Sequence, residues 1–350
     1  MCYAPYNPAW FLRNGVVNTV YTALWGRRYW ERTIPYPEPP YHKTIFLGGQ
    51  DVPISTWVAI PKNAHSTIVG TYGITGDLDT EWYLRLLGRK AYAQGFAVVL
   101  FDWRAHGRTA ELSPTLTSDG LYEGEDFVRI AAAAAAMGCP AKFWFTGFSL
   151  GGQLALWGLK AAAVLTKDQE YFGIKYSDIG GGAVICPNLD ATRSLSYLVK
   201  QPIGRYFEAG IANNLRKLAW RIHDAHPGSL DPEAIKRANS IWDFDNELVI
   251  GQLGFSSVEE YYAASNALKL LPEISKPTLI IYAADDPFFD PVIIPELQAA
   301  CNSNSHINLL LTPYGGHIGY LNSKKGQQLI QDPDPWWAWN RILQWLDKTQ

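Results

Sequence analysis

The segment Phe143-Trp-Phe-Thr-Gly-Phe-Ser-Leu-Gly-Gly152 sets a serine between two glycines, Gly147-x-Ser149-x-Gly151, where an aromatic run passes into an apolar helical pattern, QLALWGLKAAAVL. A serine held on a sharp strand-to-helix turn has strained backbone angles, and only very small residues fit beside it, so Gly147 and Gly151 are read as elbow glycines. Its hydroxyl is a weak nucleophile until a base takes the proton, and that base needs a third group to fix its tautomer. Both partners are available downstream. Thr278-Leu-Ile-Ile-Tyr-Ala-Ala-Asp-Asp-Pro287 is an apolar run ending in carboxylates, and Ile307-Asn-Leu-Leu-Leu-Thr-Pro-Tyr-Gly-Gly-His317 is a second, ending in a histidine. His317 is the expected base and Asp286 the expected acid, with Asp285 as the alternative acid and Asp290 as a helix cap before Pro291.

Acyl transfer also needs donors aimed at the developing oxyanion. The backbone N–H of Leu150 supplies one through the elbow itself. The second is assigned to Ile74, in the glycine-containing loop after the run Thr67 to Tyr72. Of the other histidines, His106 precedes the serine and ends a different run, so it is expected to pack near the site. His223 and His226 share a helix face but lack a third ligand, so no metal site is expected, and no cofactor motif is found. The Gly180–Gly182 triplet is followed by no Lys-Ser/Thr pair and is expected to form a loop.

These residues need a frame that brings them to one edge. Short apolar runs at 67–72, 96–101, 143–146, 183–186, 278–282 and 307–311 suit strands buried on both faces. Helix-like stretches separate most of them, as at 81–93, which argues for a mostly parallel sheet covered on both sides. An antiparallel hairpin is expected over 44–60, with Gly48 to Asp51 as its turn. The alanine run 131–136 is expected in the middle of a covering helix. Between about 188 and 277 only helix-prone pieces occur. The expected division is therefore an N-terminal arm and first part of the core over 1–187, a helical cap over 188–277 and the remainder of the core over 278–350.

The composition of the 350 residues removes several function classes. Disorder is excluded by 47% hydrophobic residues, and a net charge of -3 leaves no cationic excess for nucleic acid. The four cysteines are scattered, which suits a reduced, cytoplasmic setting. No stretch is apolar enough to cross a membrane. The C-terminal Trp336 to Trp345 stripe could touch a membrane peripherally, but core packing is the preferred expectation. Oligomeric state is left open.

Taken together, these segments resemble the α/β-hydrolase superfamily, and within it the YheT-like branch of hydrolases and carboxylesterases. Gly147-Phe-Ser-Leu-Gly-Gly152, Ala283-Ala-Asp-Asp-Pro-Phe288 and Gly315-Gly-His-Ile-Gly319 are similar to that branch's nucleophile, acid and histidine motifs in order. Asn14-Gly-Val-Val-Asn-Thr19 is similar to its N-terminal Asn-Gly-His-Leu-Gln-Thr element, without the histidine. Phe101-Asp-Trp-Arg-Ala-His-Gly107 resembles an Asp-x-Arg-Gly-His-Gly loop, with Ala105 where glycine is usual. Tyr72-Gly73 stands where the superfamily typically has His-Gly. The resemblance implies an α/β-hydrolase fold and cleavage of a small-molecule carboxylic ester, and the aromatic cap segment favours an apolar or lipid-like one. An acyltransferase using the same acyl-enzyme and a non-catalytic ligand-binding relative are the alternatives. Epoxide hydrolase and dehalogenase chemistry would, by the same resemblance, need an aspartate at position 149.

Overall fold

The computed structural model describes residues 4–349. Eight strands form one sheet in the order β1-β2-β4-β3-β5-β6-β7-β8. They are β1 (His42–Leu47), β2 (Pro53–Ala59), β3 (Ser66–Thr71), β4 (Phe96–Phe101), β5 (Phe143–Phe148), β6 (Ile179–Ile185), β7 (Thr278–Ala283) and β8 (Ile307–Thr312). β2 pairs antiparallel with both β1 and β4, and all other pairings are parallel. The hairpin and the alternation of strand with helix are thus as the sequence pattern implies. Strands β3, β4, β5 and β7 are buried along their whole length, which explains why they carry no charged residue and read as largely apolar runs.

Because the strands from β3 onward are parallel, the C-terminal ends of β3, β4, β5, β7 and β8 open on one edge of the sheet. A ligand in an open α/β sheet sits at that edge. The chain leaves it at Tyr72, Asp102, Ser149, Ala284 and Pro313, so the residues singled out above are carried to one place by topology alone. Between β6 and β7 the described chain has no strand. It runs through several helices, the longest Pro202–Ala225, which pack into a second apolar cluster with Leu116 and Ala105.

Two local expectations are corrected. Gly180–Gly182 is no loop; it lies inside β6. A Cβ at Gly180 would come within 2.8 Å of the Trp144 ring, and one at Gly181 within 1.9 Å of the Pro277 carbonyl oxygen. Without side chains, β6 accommodates the indole and a register shift against β5 at Phe143/Trp144. The alanine run 131–136 closes its helix rather than sitting at the middle, since the helix spans Glu123–Ala136. Small residues there and at Gly158 let this helix lie close against the helix Leu150–Thr166; a Cβ on Gly158 would be 2.9 Å from Cβ of Phe127.

The C-terminal helix Trp337–Thr349 packs its aromatic stripe inward, with Trp336, Trp337, Trp339 and Trp345 all buried. That agrees with core packing as the role of this stripe. No helix among the described residues is long and apolar enough to cross a membrane. Cys139, Cys186 and Cys301 are free and buried, while Cys2 lies outside the described residues.

Candidate active site

Ser149 sits between β5 and the helix Leu150–Thr166 with φ 54° and ψ -125°. A non-glycine residue at positive φ of this kind is strained, and its surroundings hold it there. The Ser149 N–H donates to the Ile185 carbonyl at 3.0 Å, and its own carbonyl accepts from Gly152 and Gln153 at 2.9 and 3.2 Å. The flanking glycines are steric requirements. A Cβ on Gly147 would lie 2.0 Å from the Gly151 carbonyl oxygen, and one on Gly151 would lie 2.2 Å from that of Tyr72.

Past the ends of β7 and β8, Asp286 and His317 meet. Nδ1 of His317 is 2.8 Å from Oδ2 of Asp286, whose Oδ1 accepts from the Phe288 N–H at 2.9 Å. With Nδ1 donating to the carboxylate, Nε2 is left as the acceptor nitrogen. Asp285 does something else: its Oδ1 accepts the Gly316 N–H at 2.9 Å, fastening the loop that carries the histidine. Burial pushes the Asp285 carboxyl up to about 6. Asp290 caps the short helix that follows through the Val292 N–H. Ser149 and His317 line the same cavity. Among the described residues no hydrogen bond joins Ser149 Oγ to the imidazole.

The Ile74 and Leu150 N–H groups have no protein acceptor among the described residues, and both residues border the cavity at Ser149. The loop before Ile74 is anchored at two points. Tyr72 turns its hydroxyl away from the cavity and donates to Asp102 Oδ1 at 2.6 Å, while the Gly73 N–H donates to the Tyr83 hydroxyl at 3.1 Å. A Cβ on Gly73 would stand 3.1 Å from that of Ser149, so the tyrosine replaces the usual histidine without altering the need for glycine after it.

His106 is buried against the Trp103 ring at 3.5 Å and donates from Nδ1 to the Arg104 carbonyl at 3.0 Å. Burial lowers its pKa to about 3, so it stays neutral, a packing group in the cavity wall. His223 donates from its ring to the Leu230 carbonyl, and His226 ends the helix Pro202–Ala225. Cys186 lies near Asp286 and His317, close enough for the three to hold an ion. Burial raises the Cys186 thiol well above its usual range, and the other two side chains are already bonded to each other.

Sequence reasoning missed three groups. Thr19, on the N-terminal helix Gly15–Tyr21, accepts the His317 backbone N–H at 2.8 Å and donates to the Gly15 carbonyl at 2.7 Å. Its signal was the Asn14 to Thr19 element, which had no partner in the linear sequence. Glu81 lines the cavity next to Tyr83, whose hydroxyl accepts the Gly73 N–H, and burial raises the Glu81 carboxyl to about 7. Asp119 and Asp245, from either side of the second apolar cluster, border the cavity too; nothing in the sequence marked them.

Burial raises Asp245 from the usual 3.8 to about 7, and its charge helps to raise Asp119 as well. Tyr262 donates to Asp245, Tyr261 and Thr117 face Asp119, and Glu123 adds negative charge. Between pH 4 and 7 the folded chain therefore holds a proton that the unfolded chain has released, and stability falls as pH rises through that window. Asp245→Asn keeps the acceptor for Tyr262 and removes the charge. It is expected to raise the melting temperature at pH 8 and to leave it nearly unchanged at pH 4, measured by thermal denaturation at both pH values.

This sheet, elbow and carboxylate–imidazole pair define an α/β-hydrolase architecture. Residues 72–329 match the alpha/beta hydrolase family, and the chain belongs to it. A Synechocystis protein provisionally named as an esterase is 50% identical over 348 residues, 98% of this chain and 94% of that protein. YheT of Escherichia coli, also provisionally named as an esterase, is 26% identical over 312 residues, covering 88% and 84% of the two chains. Among solved structures, the Pyrococcus furiosus esterase Pf2001 superposes with a TM-score of 0.54 at 17% identity over 99% of this chain and 98% of that one, a likeness of fold.

Proposed function

We propose that the protein is a serine hydrolase that cleaves a carboxylic ester through an acyl-enzyme. His317 Nε2 takes the Ser149 proton as Oγ bonds to the ester carbonyl carbon, and the Leu150 and Ile74 N–H groups receive the negative carbonyl oxygen. The tetrahedral adduct collapses, the carbon–alkoxide bond breaks, and the alkoxide leaves with the proton from His317. Water then repeats the sequence on the acyl-enzyme, its proton passing by way of His317 back to Ser149 as the acid departs. Asp286 orients the imidazole and offsets its transient charge.

The observation that carries this proposal is the 2.8 Å Asp286–His317 hydrogen bond at the same cavity as a strained elbow serine. The names of the Synechocystis and Escherichia coli relatives favour esters as the substrate class. Residues 188–277 act as a helical cap over the serine, and Leu195, Leu198, Leu215 and Phe244 give its inner wall an apolar character. That wall suits a hydrophobic acyl chain.

The test is turnover of aryl esters of increasing acyl length, with and without an added alcohol. Free acid should be the product, at rates that rise with chain length until the cavity is filled. A new ester in place of free acid would favour an acyltransferase, and binding of the esters without turnover a non-catalytic relative.

A further inference from the structure

Phe288 touches both members of the carboxylate–imidazole pair. Its N–H donates to Asp286 Oδ1 at 2.9 Å, and its ring lies against the His317 imidazole, with centroids 4.4 Å apart and planes tilted by 32°. A second phenyl ring stacks on it: Phe207, on the helix Pro202–Ala225, has its centroid 5.1 Å away and its plane within 8° of parallel. Three rings thus run from the segment 188–277 to the base, in the order Phe207, Phe288, His317. Phe288 also borders both cavities that reach Ser149.

A neutral imidazole gains little from an aromatic face. On the reading of Ser149 and His317 given above, however, the ring becomes an imidazolium as it takes the serine proton. The electron-rich face of Phe288 then meets a cation at 4.4 Å, inside the ~6 Å reach of a cation–π contact. An attraction that grows as charge develops lowers the barrier, whereas one equal in both states does not. The His317 side chain is only 11% exposed, so water screens the contact little. Asp286 meets the imidazole at Nδ1 and Phe288 meets its ring, so the two groups act on different parts of one ion.

We propose that Phe288 is a positioning residue for proton transfer: its ring steadies the His317 imidazole and stabilises the imidazolium, and Phe207 holds that ring in place. The segment 188–277 then serves the base as well as the substrate. Packing alone makes a different demand, because ring shape and volume would matter to it and ring electrons would not.

The experiment uses the full-length protein with Phe288 replaced, by nonsense suppression, with mono-, di- and trifluorinated phenylalanine, alongside Phe288→Leu and Phe207→Leu. Fluorine withdraws charge from the ring face and changes its size little. Turnover of p-nitrophenyl acetate, whose short acyl group asks little of the cavity wall, is read as kcat and KM, and the rate of fluorophosphonate labelling at Ser149 is the second readout. Acylation and deacylation both pass through the imidazolium, so they should slow together and leave KM within about twofold of wild type. Both kcat and the labelling rate are expected to fall with each added fluorine, by about tenfold at three, the scale of a desolvated cation–π contact. Phe288→Leu should lose about as much, and Phe207→Leu about threefold in kcat, since it loosens the ring without removing it. A flat fluorine series in an enzyme that cleaves the ester overturns the proposal even if Phe288→Leu is impaired, and a Phe207→Leu enzyme with wild-type kcat overturns the part assigned to Phe207. A wild-type protein that neither cleaves the ester nor takes the probe overturns the hydrolase proposal beneath it, and this one with it.

Discussion

Ser149→Ala is expected to abolish labelling by a fluorophosphonate probe and to cut ester turnover by about a millionfold, the scale on which removal of a triad nucleophile acts. The effect should be on chemistry and not on folding. Alanine keeps the Cβ that packs against Gly73 and asks nothing new of the φ 54° backbone, so the melting temperature should stay close to wild type. The hydroxyl itself carries no hydrogen bond to protein among the described residues, so its removal strands no buried partner. Any residual rate would come from the Leu150 and Ile74 N–H groups and from substrate binding, which retain some catalysis over water when a triad member is lost. Wild-type protein that the probe leaves unlabelled, or a Ser149→Ala variant that turns over esters normally, would refute the acyl-enzyme.

The sequence made the frame of the site legible for a definite reason: each of its residues follows a short apolar strand, fully buried for β5 and β7 and partly buried at the edge strand β8, where the pattern of apolar run, turn residue and reactive side chain is compact. Ser149, Asp286 and His317 all have this local signature, and the structure gathers them at one edge. The two fully buried strands were readable because burial on both faces leaves little room for polar residues. What escaped notice depends on distance. Thr19 holds the His317 N–H across 298 positions, and no local pattern announces such a pairing. Asp119 and Asp245 look like ordinary surface carboxylates until folding buries them together. The glycine triplet of β6 was misread because glycine usually marks turns, whereas here the absence of side chains admits Trp144 and the Pro277 carbonyl. Local chemistry could be read from the chain; contacts between distant segments could not.

Asp285 and Asp286 illustrate the same division, and exchanging each for asparagine should separate them sharply. Neighbouring residues of one type cannot be ranked by spacing, but their oxygens point to different partners: Asp286 to the His317 ring, Asp285 to the Gly316 backbone. Asp286→Asn can present an amide N–H to Nδ1 and so favour the tautomer whose proton sits on Nε2, where it cannot accept from serine. A loss in kcat of about ten-thousandfold is expected, as when a triad aspartate is amidated with its geometry intact. Asp285→Asn keeps an oxygen for the Gly316 N–H and gives up only a charge. Its kcat should fall by about tenfold or less, the scale of one weakened hydrogen bond. The pH profile supplies a second discriminator. Burial raises Asp285 to about 6, so in wild type its charge appears as pH rises through that value and strengthens its hold on the histidine loop. Asparagine removes that titration, and any inflection near pH 6 that Asp285 contributes should disappear while the high-pH plateau remains. If the two losses were reversed, with Asp285→Asn the crippled enzyme, the imidazole would have to turn toward Asp285 in the working state, and the pairing on which the mechanism rests would be the wrong one.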